Sequence, residues 1–175
     1  VIPEEYNGVP VFAIAGDGFA EHTEIEELVL PESVTRIEEG AFANCTSLAG
    51  VIISASEART VQQFYAEGGT LEYIGDGAFE NCTALADFSF EYGLEYVGAK
   101  AFAGTVLSRV SLPSTVTYMG GEVFYDCAVL TEIIVGDREE IPSEWAENWN
   151  DGCNAAVDFR LRVVFDYNNA TAGIR

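Results

Sequence analysis

Apolar residues recur along the chain with a period near 23, and a phenylalanine marks the same point of each unit. These anchor phenylalanines are Phe19, Phe42, Phe79, Phe102 and Phe124, at successive intervals of 23, 37, 23 and 22 residues. An apolar residue stands five positions before every anchor, and another stands eight positions before it. A period of roughly 20 to 50 residues is typical of a solenoid, in which each unit stacks on its neighbours. We therefore expect a repeat array over residues 9 to about 135.

Each unit also carries two apolar residues in alternation, which predicts a short strand with one buried face. The pairs are Leu28 with Leu30, Val51 with Ile53, Phe88 with Phe90, Val110 with Leu112, and Ile133 with Val135. A turn, a second extended stretch and a tight helical turn around the anchor complete the predicted unit. One unit alone buries too little apolar surface to offset the entropy of ordering its backbone. About five stacked units, by contrast, share their apolar faces and form a curved solenoid.

The composition fits a globular protein with a strongly acidic surface. Of the 175 residues 49% are hydrophobic, while 29 acidic and 8 basic residues give a net charge of −21. Such a charge repels the phosphates of nucleic acid and of anionic membranes, so we expect neither as a partner. No apolar run reaches the length of about 18 residues that a membrane-spanning helix needs.

Several stretches carry a family resemblance. The sequences LVLPESVTRIEEGAFANCTSLAGVII (28–53), YIGDGAFENCTALADFSF (73–90) and VSLPSTVTYMGGEVFYDCAVLTEIIV (110–135) resemble the BspA-like class of leucine-rich repeats. Residues 1–25 are similar to the first repeat of that family, and the stretch from Ile141 to Phe159 to its closing segment. The resemblance implies a leucine-rich-repeat solenoid, a right-handed β/α superhelix with terminal caps. It also implies a secreted or surface-attached binding and adhesion protein, typically of host-associated anaerobic bacteria.

We expect a single leucine-rich-repeat domain over residues 1–175, with two departures from the regular repeat. The interval of 37 residues is 14 longer than its neighbours of 23, and the excess lies near residues 54–67. Apolar residues at helical spacing predict a short amphipathic helix there, which either packs back on the array or contributes specificity. Residues 136–175 are expected to form a C-terminal cap, in which Trp145 and Trp149 cover the last repeat and residues 160–167 form a closing strand.

The cysteines are predicted to be structural. Cys45, Cys82 and Cys127 each stand three residues after an anchor, but His22 and Thr105 fill that slot in the other units. A catalytic nucleophile would not be replaced in this way, so we interpret the residues as buried thiols that fill the turn, with an inter-unit disulfide as the alternative. The chain has one histidine and no Cys-x-x-Cys, and no nucleophile, base and orienting group can be assembled. We therefore predict no enzyme, no catalytic residue, no metal and no cofactor, although weak binding of divalent cations by the acidic surface remains an alternative.

Two of these cysteines lie within Asn-x-Thr sequences that begin at Asn44 and Asn81, and a third such sequence begins at Asn169. They match the acceptor sequence for N-glycosylation. The alternative, which we favour, is that Asn44 and Asn81 satisfy the backbone of the turn, a role that Asp126 shares in the fifth unit.

A column of tyrosines is the first candidate binding surface. Tyr73, Tyr96 and Tyr118 stand six residues before their anchors, in the slot that Ala13 and Arg36 fill in earlier units. Stacking the units would align the three rings. Tyrosine is common at interfaces because it combines a large contact area with a polar tip. The alternative is a self-stacking ladder that only stabilises the sheet.

The second candidate surface is the row that points outward between the strand pairs. Its members are Val29, Ile52, Ser89, Ser111 and Ile134, flanked by Glu27, Asp87, Arg109 and Glu132. The resemblance implies that such an exposed strand face binds ligands, although other parts of the chain could cover its apolar members.

We accordingly expect a non-catalytic module that binds a protein or glycan, of host origin in the case of an adhesin. It would be extracellular or displayed at the cell surface, and because the chain starts at Val1 without a signal-like segment we expect its targeting signal to lie outside this sequence. The alternative is a structural spacer or stalk segment of a larger surface protein.

Overall fold

A computed structural model describes residues 1–54, 71–136 and 138–160. Apart from their first residues, the predicted helical insertion at 54–67 and the predicted closing strand at 160–167 lie outside these ranges, as does the sequence at Asn169.

The described residues form short strands. In chain order these are β1 (Glu5–Tyr6), β2 (Val9–Pro10), β3 (Ala13–Ile14), β4 (Glu27–Pro31), β5 (Arg36–Ile37), β6 (Gly50–Ser54), β7 (Tyr73–Ile74), β8 (Asp87–Phe88), β9 (Tyr96–Val97), β10 (Arg109–Leu112), β11 (Tyr118–Met119), β12 (Glu132–Gly136) and β13 (Ala156–Arg160). Strands β1 and β2 pair antiparallel as an N-terminal hairpin. All other pairings within the described residues are parallel, as the stacking of identical units requires.

The units stack as the period predicts, and the prediction of a repeat solenoid is confirmed. The two-residue strands β3, β5, β7, β9 and β11 lie side by side in one five-stranded sheet. Each contributes one outward residue and one buried apolar residue, which is the residue five positions before the anchor. The remaining parallel strands form two further sheets on another side of the coil, β4-β6-β8 and β10-β12-β13.

The anchor phenylalanines form the central column of the core. Phe42, Phe79, Phe102 and Phe124 are fully buried, and the rings of neighbouring units stack with centroids 5.3 to 6.0 Å apart. The apolar slots five and eight positions before each anchor line the same core. Burial of these repeated slots is the main force that holds one unit against the next.

The turn around each anchor is not a helix, and the described residues contain no α-helix. Hydrogen bonds from residue i+3 to residue i, such as Cys82 N to Phe79 O at 3.2 Å, close a series of tight turns. The turns also bond to the next unit, as where Phe42 N donates to Ala78 O at 2.8 Å. The helical part of the predicted β/α superhelix is therefore not confirmed in this part of the chain.

The array has about six turns rather than five. Strand β13 pairs with β12 over five residues, and Met119 forms a parallel bridge with Trp145. Trp145 and Trp149 are each only 5% exposed and belong to the core. Trp145 takes the slot of Met119 in the next unit, and the Trp149 ring centroid lies 5.2 Å from that of Trp145. A sixth unit was missed in the sequence because it lacks the anchor phenylalanine.

Candidate functional site

The turn cysteines are building elements. The thiol of Cys45 donates to the carbonyl oxygen of Phe19 at 3.0 Å, Cys82 to that of Phe42 at 3.1 Å, and Cys127 to that of Phe102 at 3.2 Å. All three are buried and none of the four cysteines forms a disulfide with a described residue. Burial raises the pKa of each of these thiols, that of Cys82 to about 12, so the nucleophilic thiolate is disfavoured at neutral pH.

The slot that holds cysteine in these units keeps the same physical role in another unit, although its residue type changes. Thr105 is buried there in the fourth unit, where its hydroxyl donates to the carbonyl oxygen of Phe102 at 2.9 Å. His22 in the first unit is exposed, and its Nδ1 lies 2.7 Å from a carboxylate oxygen of Glu24. A small donor that bonds to a phenylalanine carbonyl is thus what the buried slots share.

The asparagines of the turn hold an unusual backbone conformation. Asn44 and Asn81 have φ angles of 60° and 59°, and Asp126 takes the same position with φ of 56°. Asparagine and aspartate tolerate this left-handed region better than most residues. The Asn81 side-chain amide also donates to the Asn44 side-chain oxygen at 3.1 Å. The left-handed conformation and this side-chain bond support a structural role for both asparagines, while the predicted contact with the backbone of the turn stays a prediction.

The three tyrosines predicted to align do form one stack on the five-stranded sheet. The Tyr73 and Tyr96 ring centroids are 4.5 Å apart with planes 14° apart, and Tyr96 and Tyr118 are 4.4 Å apart with planes 5° apart. Strands β7, β9 and β11 impose this spacing, since their residues are in register. Burial, together with the hydroxyls of Tyr118 and Tyr73, raises the pKa of Tyr96. We call this stack the tyrosine column.

A charged residue extends the tyrosine column, and the sequence prediction did not include it. The guanidinium carbon of Arg36 lies 3.8 Å from the Tyr73 ring centroid, a cation–π contact. Arg36 Nε donates to Glu38 Oε1 at 2.8 Å, which fixes the guanidinium in place. The signal was present in the sequence, because Arg36 occupies the tyrosine slot of its own unit.

Acidic side chains lie along the tyrosine column. Glu72 and Glu95 are exposed and directly precede Tyr73 and Tyr96. Asp76 follows β7 and is exposed, and its Oδ1 accepts a hydrogen bond from the backbone N–H of Ala99 at 2.8 Å. The column is therefore an aromatic surface within an acidic surround.

The outward strand row is divided. Val29 pairs in register with Ile52 in one sheet and Ser111 with Ile134 in the other, but Ser89 lies just beyond β8 and no described pairing joins the two sheets. Ile52 is 50% exposed, whereas Val29 and Ile134 are half-buried. Of the flanking charges, Arg109 forms an ion pair with Glu132. The row therefore offers two short surfaces rather than one continuous face.

A half-buried carboxylate was not predicted from the sequence. Glu91 Oε2 is buried without a hydrogen-bond partner among the described residues. Burial, and secondarily the charge of Glu32, raises the pKa of Glu91 to about 6. Within the described ranges no group of three or more histidine, cysteine and acidic residues could hold a metal ion.

The repeats identify the family. The sequence pattern of the BspA type leucine-rich repeat region matches residues 60–148, slightly more than half of the 175 residues, with six copies. The chain belongs to the BspA-type leucine-rich-repeat family. Members of this repeat family are typically protein-interaction or surface modules and are generally non-enzymatic.

Two solved structures of leucine-rich-repeat proteins resemble this BspA-type chain. The T. pallidum leucine-rich repeat protein is 28% identical with a TM-score of 0.63, over 77% of this chain and 56% of its own. A leucine-rich repeat protein from Bacteroides ovatus is 25% identical with a TM-score of 0.61, over 82% of this chain and 33% of its own. The match thus spans about half of the first protein and a third of the second. Among curated proteins, no relative matches the sequence significantly.

The described residues of this BspA-type chain include no helix long and apolar enough to cross a membrane.

Proposed function

We propose that the chain is a non-catalytic binding module that recognises a protein or glycan through the tyrosine column on an exposed face of the solenoid. The observation that carries the proposal is the stack of Tyr73, Tyr96 and Tyr118, whose rings lie 4.4 to 4.5 Å apart on adjacent strands. A binding surface held rigid before its partner arrives loses little side-chain entropy on association. Tyrosine in particular presents a large amphipathic area with few rotatable bonds.

The tyrosine column is a better candidate than the outward strand row. The column runs unbroken over three units, whereas the row is divided between two sheets. The backbone of Val29 is also engaged by the N-terminal segment, because Ile2 N donates to Val29 O at 3.0 Å. Ile52, Ser89 and Ser111 remain a second candidate surface because they are exposed.

As part of an adhesin, the module acts outside the cell, secreted or displayed at the surface. This location suits the family's usual role as a surface module. The net charge of −21 supports solubility and disfavours binding to anionic membranes.

A structural spacer is the second candidate function. Tyr73 and Tyr118 stack on the two faces of the Tyr96 ring, so this ring is covered without any binding partner, which favours a spacer. In a spacer the tyrosine column would stabilise the sheet and bind nothing.

A binding panel with a column variant tests the proposal. The intact domain is screened against immobilised extracellular-matrix proteins and glycans, and then compared with a variant in which Tyr73, Tyr96 and Tyr118 are replaced by threonine, which keeps a high strand propensity. The control replaces Tyr6 and Tyr92, which are 71% and 54% exposed and lie off the column. Circular dichroism checks that both variants fold.

The proposal predicts that the intact domain and the control bind a member of the panel and that the column variant does not. Absence of binding by the intact domain supports the spacer. Binding that survives the triple substitution moves the recognition surface away from the column.

A further inference from the structure

The two ends of the tyrosine column differ, and the first end is closed by the chain itself. The Arg36 guanidinium lies 3.8 Å from the Tyr73 ring centroid, on the side away from Tyr96. Glu38 accepts the Arg36 Nε hydrogen at 2.8 Å. This end therefore consists of a tyrosine face, a guanidinium and a carboxylate that orients it.

The second end of the column is formed by Tyr118 and a carboxylate. Among the described residues, no cation stacks on the outer face of the Tyr118 ring. Tyr118 is 38% exposed, and the stack with Tyr96 occupies one of its faces. The parallel bridge between Met119 and Trp145 places Glu144 opposite Tyr118 in the next unit. Glu144 is exposed. Within residues 1–54, 71–136 and 138–160, Arg36 is the residue that stacks on the column as a cation.

The surface beside this second end is acidic. Residues 138–144 line a shallow depression that contains Glu139, Glu140 and Glu144, all of them exposed. The one basic residue of that lining, Arg138, donates to the carbonyl oxygens of Ser114 and Val116 and lies 5.6 Å from the Trp145 ring centroid. Its guanidinium is thus held in the coil, and the carboxylates remain available to a positive group from outside.

Resting on the proposed function, we propose that the second end of the column binds an arginine side chain of a protein partner. The guanidinium stacks on the outer face of Tyr118 and pairs with the carboxylate of Glu144. A cation, a ring and a carboxylate thus meet as they do for Arg36, Tyr73 and Glu38, although Glu144 has the register position beside Tyr118 that Arg36 has beside Tyr73. Arginine fits better than lysine because its planar and weakly hydrated group stacks on aromatic rings.

Charge complementarity favours this partner over a glycan. The chain carries a net charge of −21, which raises the rate at which cationic partners associate and repels anionic ones. A neutral glycan gains no long-range attraction from this charge, and a sulfated or sialylated glycan is repelled by it. The acidic surround of Tyr73 and Tyr96 extends the same preference along the column.

A pair of peptides tests the site. The probes are the heptapeptide Gly-Ser-Gly-Arg-Gly-Ser-Gly and its twin with citrulline, which keeps the shape of arginine without its charge. They are titrated into protein labelled with 3-fluorotyrosine while ¹⁹F spectra are recorded, with the Tyr118 resonance assigned from Tyr118→Phe. We expect a saturable shift of that resonance with the arginine peptide and none with the citrulline peptide.

Two substitutions separate the site from diffuse attraction. Glu144→Gln removes the proposed ion-pair partner, and Glu26→Gln makes the same change of charge at an exposed residue of the first unit. Affinity for the arginine peptide, measured by fluorescence anisotropy, should fall about two- to fivefold for Tyr118→Thr, as expected for loss of an exposed cation–π contact. It should fall more for Glu144→Gln than for Glu26→Gln.

Equal binding of the two peptides, or equal losses for Glu144→Gln and Glu26→Gln, overturns the arginine site. If the column variant nevertheless fails to bind a panel partner that the intact domain binds, the proposed function stands and only this inference fails. The opposite result is also distinguishable. If the arginine peptide binds specifically but the column variant binds the panel partner as the intact domain does, the proposed function fails and the arginine site stands.

Discussion

The thiol of Cys82 donates a hydrogen bond to the carbonyl oxygen of Phe42, 3.1 Å away in the preceding unit. The contact joins the turn of one unit to the anchor of another, and both residues are fully buried. It explains why cysteine recurs in these turns without any chemistry. The sulfur fills a small apolar space and donates a second hydrogen bond to a carbonyl oxygen that already accepts the Cys45 backbone N–H at 3.1 Å.

Removal of this thiol should destabilise the array. We expect Cys82→Ala to lower the free energy of unfolding by about 1 to 2 kcal/mol, because the variant loses buried volume and a hydrogen bond. Cys153→Ala is the matched control, since Cys153 is only half-buried and bonds to Asn150 O within its own turn. Urea denaturation measures both, and equal losses would contradict the inter-unit role.

The same thiol predicts a dependence of stability on alkaline pH. Burial raises the folded-state pKa of Cys82 from 9.0 to about 12, so the folded state retains its proton more tightly than the unfolded state. The stability that this provides is fully present below about pH 9 and is lost as pH rises toward 12. The difference in stability between the native protein and Cys82→Ala should shrink over that range. A difference that stays constant from pH 8 to 11 would contradict the assignment.

The left-handed turn positions should tolerate glycine and resist residues branched at Cβ. Asn81 has a φ of 59°, so Asn81→Val should cost more than about 1 kcal/mol, while Asn81→Gly should be nearly neutral. Thr83→Val is the control, at an exposed position two residues away whose φ is not positive. Thermal unfolding followed by circular dichroism gives the comparison, and a valine variant at position 81 as stable as the glycine variant would contradict the strain.

Glu91 should destabilise the protein at neutral pH. Burial and the charge of Glu32 raise the pKa of Glu91 to about 6. Its contribution to the stability of the fold is therefore favourable below the unfolded pKa of 4.5 and is lost as pH rises through 6. Since the residue is only half-buried, we expect Glu91→Gln to stabilise by about 1 kcal/mol at pH 7.5 and by less at pH 4.5. Urea denaturation at the two pH values checks this, and the reverse order of effects would contradict it.

The repeated slots made the solenoid predictable. Phe42 and Phe79 stand in nearly the same sequence context, and the burial of slots such as Leu48, Leu71 and Ile74 follows from a period that only stacking satisfies. The sixth turn was not predicted because Trp145 and Trp149 replace the usual residues at an altered spacing. The turns were predicted as helical because their compact spacing resembles a helical turn, whereas left-handed residues such as Asn44 end each short run.

The candidate site was predictable only in part. Alignment of Tyr73 with Tyr96 followed from their common slot, and the rings do stack. The shared slot also placed Arg36 next to Tyr73, but the stacking of the guanidinium on the ring depends on side-chain rotamers, which a repeat pattern does not specify. The division of the strand row was equally hidden, because it depends on where pairing ends after Phe88.

Hydroxyl-radical footprinting of the tyrosines tests the central claim most directly. The oxidation of each tyrosine is measured by mass spectrometry with and without a partner found in the panel. If the tyrosine column is the recognition surface, oxidation of Tyr118 and of Tyr96 falls when the partner binds, whereas Tyr6 and Tyr92 are oxidised as before. Unchanged oxidation of the column, together with protection of Ile52 or of another face, would contradict the account.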